Sequence, residues 1–227
     1  MEKLPKINII YEDNHLLVVE KPINIPVQED ESKDKSLQKI LKEYLKNKYN
    51  KPGNVYLGIV HRLDRPVGGI MVFAKTSKAA ARLSKQIQDK KFSKIYYAIV
   101  QNKLKDKDTL TNYLIKDQKQ NISYVTTKDK GKLAILDYEV IDTKDNLNLV
   151  KINLHTGRSH QIRVQFAHNK NPLLGDSKYG ENKEKLNICL FAKELSFIHP
   201  TTKEQMTFNL PLPNKYPYNI FKKNIID

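Results

Sequence analysis

Short segments with the alternation of β-strands outnumber every other pattern in this chain, and they limit its fold more than any other feature. In the clearest of them, Val150, Ile152 and Leu154 alternate with polar residues, which predicts a strand with one buried face. The segments predicted as strands are residues 7–11, 16–20, 56–60, 70–74, 95–100, 131–142, 147–155 and two strands within 190–211. Because strands and helices do not alternate regularly, we expect an α+β fold with a mixed, mostly antiparallel central sheet flanked by helices and loops.

Three segments carry helical signals. The predicted helices begin at Ser36, at Ser77 and at Ser159 or His160, where polar residues precede apolar residues one turn apart. Their predicted core faces lie at positions 37, 40, 41, 44 and 45, at positions 80, 83 and 87, and at positions 162 and 166. Polar stretches at residues 28–35 and 103–119 are predicted to be loops that determine specificity.

Length and composition restrict the class of protein. A chain of 227 residues without a linker or repeat is expected to be a single catalytic or binding domain over residues 1–227. No apolar run is long enough to span a bilayer, and no signal sequence is visible, so we expect a cytoplasmic protein. The lone Cys189 cannot form an internal disulfide or a cysteine zinc site, and no histidines lie four residues apart. We therefore expect no metal.

The charge of the chain points to a polyanionic partner. Forty Lys and Arg against 25 Asp and Glu give a net charge of +15, which favours nucleic acid. The basic residues are spread along the chain rather than gathered beside an amphipathic anchor, so a membrane is not expected. Only five residues are arginine, which leaves 40 − 5 = 35 lysines. Four of the five arginines lie in two short segments, and these become the candidate site: Arg62, Arg65, Arg158 and Arg163.

The first arginine segment surrounds a carboxylate. Asp64 lies between Arg62 and Arg65 in a loop that Pro66 and Gly68 make tight. Neighbouring positive charges favour the ionised carboxylate, which could act as a nucleophile or a base. The same pattern is also expected of a simple ion-paired connection between two strands.

The second arginine segment leaves a strand and enters a helix. It reads Thr-Gly-Arg-Ser-His-Gln-Ile-Arg at residues 156–163, and a helix N-terminus that carries arginine can bind an anion. Arg163 follows the core residue Ile162, so it could point along the sheet edge toward another loop, such as that of Asp64. A surface arginine near a helix start is the alternative.

At these residues the chain resembles the RluA-type RNA pseudouridine synthases. Four stretches match that family's motifs in the family's order: residues 16–22, residues 61–64 followed by Gly69 and 74–75, residues 94–98, and residues 156–163 with Leu-Gly-Asp at 174–176 beyond. The match covers most of the chain. It implies the pseudouridine synthase fold, with a catalytic cleft across the sheet.

The resemblance also implies roles for individual residues. Asp64 would be the catalytic aspartate, Arg163 would pair with it, and Tyr96 would stack on the target uracil near the C5 proton. Arg62 would enter the space left by the flipped uridine. Lys21 belongs to the first motif with a mainly structural role, although we also group it with the candidate RNA-binding residues, together with Arg158 and His61.

The implied reaction needs no cofactor, because uridine and pseudouridine are isomers. The expected partner is RNA, as a structured rRNA or tRNA stem-loop, and the expected state is a monomer. Two departures from the family pattern are visible. Val67-Gly68 stands where the family usually has Thr-Ser, and no room is expected for an N-terminal S4 module. A non-catalytic RNA-binding protein or RNA chaperone with the same fold is the alternative function.

Overall fold

The computed structural model describes residues 7–181 and 185–221, and these residues form eleven strands and three α-helices. They divide into two compact units: residues 7–92 with 194–209, and residues 93–193 with 210–221. Within the described residues, no helix is long and apolar enough to cross a membrane.

The first unit is built on strands that run antiparallel to their sequence neighbours. Its elements are β1 (Asn8–Glu12), β2 (Leu16–Lys21), α1 (Leu37–Lys48), β3 (Gly58–Ile59), β4 (Gly68–Ala74), α2 (Ser77–Gln88), the end of β10 (Leu190–Ile198) and β11 (Gln205–Asn209). Strand β2 pairs with both β1 and β4, from Leu16 opposite Ala74 to Lys21 opposite Gly69. Strands β3 and β4 pair, as do β10 and β11. The core consists of β4 and the first four residues of β2, which are almost fully buried.

The N-caps and buried faces of the two helices in this unit can be compared with those predicted from the sequence. Helix α1 begins after Ser36, whose hydroxyl accepts a hydrogen bond from the Lys39 N–H, and the predicted core positions 37, 40, 41 and 45 are buried. Helix α2 is capped by Thr76, one residue before the predicted Ser77, because the Thr76 hydroxyl accepts from the Ala79 N–H at 3.1 Å. The buried residues of this helix are Ala79 and Leu83, whereas the predicted core positions 80 and 87 are only partly buried.

Glu12 joins three elements of the first unit. Its carboxylate accepts hydrogen bonds from Lys48 and Tyr44 of α1, from Tyr49 just after it, and from Lys75 at the end of β4. Burial alone would raise the pKa of Glu12, but these hydrogen bonds lower it to about 2. The ionised carboxylate therefore stabilises the packing of α1 against the strands.

The second unit contains a second set of antiparallel strands and the third helix. Its strands β5 (Ser93–Gln101), β6 (Lys107–Asp117), β7 (Ile122–Thr126), β8 (Lys132–Lys144) and β9 (Leu147–Leu154) follow the order β5-β9-β8-β6-β7. Helix α3 (Gln161–His168) packs on β6 and β7. A core cluster of Leu114, Ala134 and Val164 joins the helix to the strands.

The described residues confirm the α+β fold and the mostly antiparallel pairing, but they correct the predictions at β6, β7 and β3. Residues 103–119, predicted as a loop, contain the whole of β6, whose register with β8 runs from Lys107 opposite Glu139 to Leu114 opposite Lys132. Only Leu110 and Leu114 of this strand are buried, four residues apart, so the sequence lacks the alternation that identifies a strand. Strand β7 was not predicted at all. Strand β3 is shorter than predicted.

Candidate active site

The loop that carries Asp64 is a tight connection between β3 and β4. The Val67 N–H donates to the Asp64 carbonyl at 3.0 Å and closes a turn, and the Asn24 N–H donates to the Arg65 carbonyl at 2.8 Å. Gly69 has a φ of 122°, a backbone conformation that residues with a Cβ atom rarely adopt. Val67 is buried and Asp64 is partly exposed, so the loop is anchored at its end while the carboxylate stays accessible.

The side chain of Lys21, at the end of β2, fixes the backbone of the Asp64 loop through hydrogen bonds. Its side chain is 1% exposed, and its ammonium group donates to the carbonyls of Pro22 at 3.0 Å, Arg65 at 2.9 Å and Val67 at 2.7 Å. Burial lowers the pKa of Lys21 to about 7, while the charge of Asp64 acts in the opposite direction. An RNA contact for Lys21 is not supported, because its ammonium is enclosed and occupied by these carbonyls. Its position fits the structural role that the resemblance implies.

The departure at Val67-Gly68 is explained by the same packing. A Cβ at Gly68 would lie 3.1 Å from a methyl carbon of Ile23 and 3.3 Å from the Lys21 carbonyl. A larger residue at position 68 would therefore crowd Ile23 and the end of β2. Val67 is buried beside it. The Lys21 ammonium and the buried Val67 side chain hold this part of the loop.

The two arginines that flank Asp64 have different surroundings. Arg65 turns toward the 28–35 loop, where its guanidinium pairs with Asp34 and its Nε donates to the Asn24 carbonyl at 3.2 Å. Arg62 is exposed and makes no hydrogen bond or ion pair with any described residue. Arg62 is therefore the flanking arginine available to a ligand.

His61 is fixed at the start of the loop. Its Nε2 accepts a hydrogen bond from the Val72 N–H at 3.1 Å, which requires that nitrogen to be unprotonated, and its ring contacts Phe92 at a centroid distance of 5.6 Å. These contacts connect the loop to β4, so they support a positioning role rather than the predicted RNA contact.

In the second unit, the turn before α3 is held by one amide side chain. The Gln161 Oε1 accepts from the Thr156 hydroxyl at 2.8 Å and from the Arg158 N–H at 3.0 Å, while its Nε2 donates to the Ile135 carbonyl at 3.1 Å. Arg158 is exposed, and its Nε donates to the Leu133 carbonyl at 2.8 Å. That bond directs the guanidinium along β8.

Arg163 is held by an acidic residue to which no role was predicted. The Arg163 Nε and Nη2 donate to the two carboxylate oxygens of Asp176 at 2.8 and 2.7 Å, and the side chains are 5% and 0% exposed. The Asp176 Oδ1 also accepts from the N–H groups of Lys178 and Tyr179. The Tyr179 ring lies 5.2 Å from the guanidinium carbon. This buried pair sets the orientation of Arg163, and the Leu-Gly-Asp stretch at 174–176 was its sequence signal.

Tyr96 lies in the middle of β5, opposite Ile152 of β9, and is 6% exposed. Lys94 precedes it by two residues on the same face and is also buried. Tyr97 faces the other side of the strand, where the Lys193 ammonium lies 5.8 Å from its ring centroid. The two tyrosines therefore have different environments, which the sequence alone does not distinguish.

The structure thus places Asp64, Arg62, His61 and Lys21 around one loop of the first unit. Arg163, Arg158 and Tyr96 belong to the second unit. Among the described residues, no group of three or more His, Cys, Asp or Glu side chains could hold a metal ion. The residues that sequence reasoning missed are Asp176, Gln161 and Lys94.

Comparison with known proteins agrees with the resemblance in the motifs. The profile of the RNA pseudouridylate synthase family matches residues 15–168. The chain is 35% identical to an RNA pseudouridine synthase of Aquifex aeolicus, over 95% of this chain and 72% of that protein. It is 33% identical to ribosomal large subunit pseudouridine synthase D of Pseudomonas aeruginosa, over 93% of this chain and 70% of that protein.

A solved structure supports the fold. Human RNA pseudouridylate synthase domain containing 4 superposes with a TM-score of 0.77 at 20% identity, over 91% of this chain and 88% of that one. The chain therefore belongs to the RNA pseudouridylate synthase family and is an isomerase that acts on uridine in RNA.

Proposed function

We propose that this enzyme converts uridine to pseudouridine in ribosomal RNA of the large subunit, with Asp64 as its catalytic residue. The observation that carries the role of Asp64 is its loop: the carboxylate is partly exposed while Lys21 fixes the backbone on which it stands. The substrate is proposed from relatives such as ribosomal large subunit pseudouridine synthase D of Pseudomonas aeruginosa.

The chemistry explains why one carboxylate suffices. The N1–C1′ bond of uridine breaks, a C5–C1′ bond forms, C5 loses its proton and N1 gains one. No electron or water is consumed, so the reaction balances without a metal or cofactor. In every route open to a carboxylate (attack on C1′, attack on the ring, or removal of a sugar proton), Asp64 must contact the target nucleoside directly.

Arg163 is proposed to pair with Asp64 and to keep it ionised and oriented. A guanidinium has five N–H donors in a planar fork, and the Asp176 contact uses the Nε and Nη2 groups of Arg163. Asp176 therefore acts as a positioning residue that sets the direction of the remaining donors. We expect Arg163→Ala to lower activity, and wild-type turnover in that variant would contradict the pairing.

Tyr96, Arg62 and Arg158 are proposed to contact the RNA. The Tyr96 ring would stack on the uracil near the C5 proton. Arg62 is exposed and would enter the space that the flipped nucleotide leaves. Arg158 is held along β8 and would contact the phosphate backbone.

We further propose that residues 1–227 act as one catalytic domain, in the cytoplasm, where ribosomal RNA is modified. All the proposed catalytic groups come from one chain, so a monomer can carry the activity.

Tritium release tests this function. Ribosomal RNA of the large subunit and total tRNA, each labelled with [5-³H]uridine, are incubated separately with the enzyme. We expect release from the ribosomal RNA. Release from tRNA alone would replace the proposed substrate, and no release from either pool alongside tight binding would favour the RNA-chaperone alternative.

A further inference from the structure

Lys94 is a buried cation without a partner in the described part of the chain. Its side chain is 7% exposed, and no hydrogen bond or ion pair to a described residue satisfies its ammonium group. Burial lowers the pKa of Lys94, and no neighbouring charge contributes to that shift. An unpaired buried charge costs free energy, so a group of this kind is retained at the expense of stability.

The other buried lysines show what Lys94 lacks. Lys21 donates to three carbonyls, and Lys193 faces the ring of Tyr97. The partly buried Lys75 donates to both the Glu12 carboxylate and the Asp13 carbonyl. The folded chain therefore supplies partners to those lysines, whereas no described residue supplies one to Lys94.

The Lys94 ammonium has an open side. A Cβ added at Gly157 would lie 3.4 Å from Nζ of Lys94 and would meet no other atom within 4 Å. Gly157 is itself exposed. An incoming group can therefore reach the ammonium across the Gly157 backbone, where any side chain would stand in the way.

We propose that Lys94 binds a phosphate oxygen of the RNA substrate, beside the nucleotide whose base stacks on Tyr96; this inference rests on the proposed function. Lys94 and Tyr96 share one face of β5, and two residues of a strand span about 7 Å. A group bound at Lys94 is therefore adjacent to a base stacked on Tyr96.

A phosphate is the occupant that the charge favours. RNA offers one anionic group per nucleotide, and a full negative charge compensates a buried ammonium better than a neutral uracil carbonyl does.

Salt-dependent binding tests this role without requiring turnover. The dissociation constant for large-subunit ribosomal RNA is measured between 50 and 200 mM KCl for the wild type and for Lys94→Met. A single phosphate contact contributes about 0.7–0.9 to the slope of log K against log salt, so we expect Lys94→Met to reduce the slope by about that amount. We also expect binding to weaken roughly tenfold or more at the lowest salt concentration.

Two further variants make the test specific. Lys151→Met is the matched control, because Lys151 is exposed on the neighbouring strand β9 opposite Tyr97, on the other face from Lys94. It should leave the slope unchanged. Lys94→Arg keeps the charge and should restore most of the wild-type slope.

The stability of the free protein separates a ligand role from a structural one. If the partner of Lys94 is an external anion, Lys94→Met should raise the melting temperature of the RNA-free protein by about 2 °C or more, because the substitution removes an unpaired buried charge. A lower melting temperature, a wild-type slope in Lys94→Met, or an equal loss in Lys151→Met would each overturn the proposal. If the wild type binds RNA but releases no tritium, the proposed function fails while the binding role of Lys94 is still decided by the slope.

Discussion

Replacing Asp176 by leucine should expose how much the second unit depends on the ion pair that holds Arg163. The two carboxylate oxygens accept from Arg163 at 2.8 and 2.7 Å, and both side chains are at least 95% removed from solvent. Removing the Asp176 carboxylate breaks this buried ion pair, which costs about 3–5 kcal/mol. Asp176→Leu should therefore lower the free energy of unfolding by roughly that amount.

A double variant distinguishes the cost of the orphaned charge from the cost of lost packing. In Arg163→Met combined with Asp176→Leu, neither charge of this pair remains, so most of the lost stability should return, as it often does when apolar residues replace a buried ion pair. Activity should not return, because Arg163 is proposed to act on Asp64.

Urea unfolding and tritium release measure the two properties on the same proteins. Asp137→Asn is the control, since Asp137 pairs with His155 at the surface and should contribute less than about 1 kcal/mol. A loss below about 1 kcal/mol in Asp176→Leu would refute the role of the buried pair in stability. Wild-type activity in the double variant would refute the positioning of Asp64 by Arg163.

Three further predictions concern the supports of the site. Lys21 has its pKa lowered to about 7 in the folded chain, so between pH 7 and 9 the unfolded state binds more protons. The stability of the wild type relative to Lys21→Met should therefore rise with pH, by at most about 1.4 kcal/mol per unit; a constant difference in urea titrations would contradict this. Glu12→Gln should destabilise the protein at pH 7, and melting curves should show the difference shrinking as the pH falls from about 4.3 toward about 2. Gln161→Leu should lower the rate of tritium release by disordering the turn that carries Arg158, and an unchanged rate would argue against that support.

The sequence predicts most of the fold because its signals are local. Alternation identifies β9, and an N-cap followed by an apolar stripe identifies α1. It fails at β6, where a strand with two buried residues is defined by its pairing with β8, which no local pattern reveals.

The candidate site likewise contains residues that the sequence identifies and residues that only the structure reveals. The two arginine segments mark Asp64, Arg62 and Arg163 as candidates. Their roles come from the resemblance to the RluA-type enzymes, because an ion-paired loop or a surface arginine would show the same local pattern. The partners that orient them are distant in sequence: the Lys21 ammonium meets the Val67 carbonyl 46 residues away, and Asp176 lies 13 residues beyond Arg163. Those contacts depend on the folded backbone and cannot be predicted from composition or spacing.

The most direct test of the central claim compares Asp64→Asn with the wild type in a single-turnover assay on large-subunit ribosomal RNA. Asp30→Asn is the matched control, because Asp30 is an exposed acid near Arg65 on a neighbouring loop. Loss of the proposed catalytic carboxylate should reduce tritium release by at least about a thousandfold, while the RNA dissociation constant stays within about threefold of the wild type. Asp30→Asn should react at the wild-type rate. Comparable turnover in Asp64→Asn would contradict the account and remove Asp64 from the mechanism.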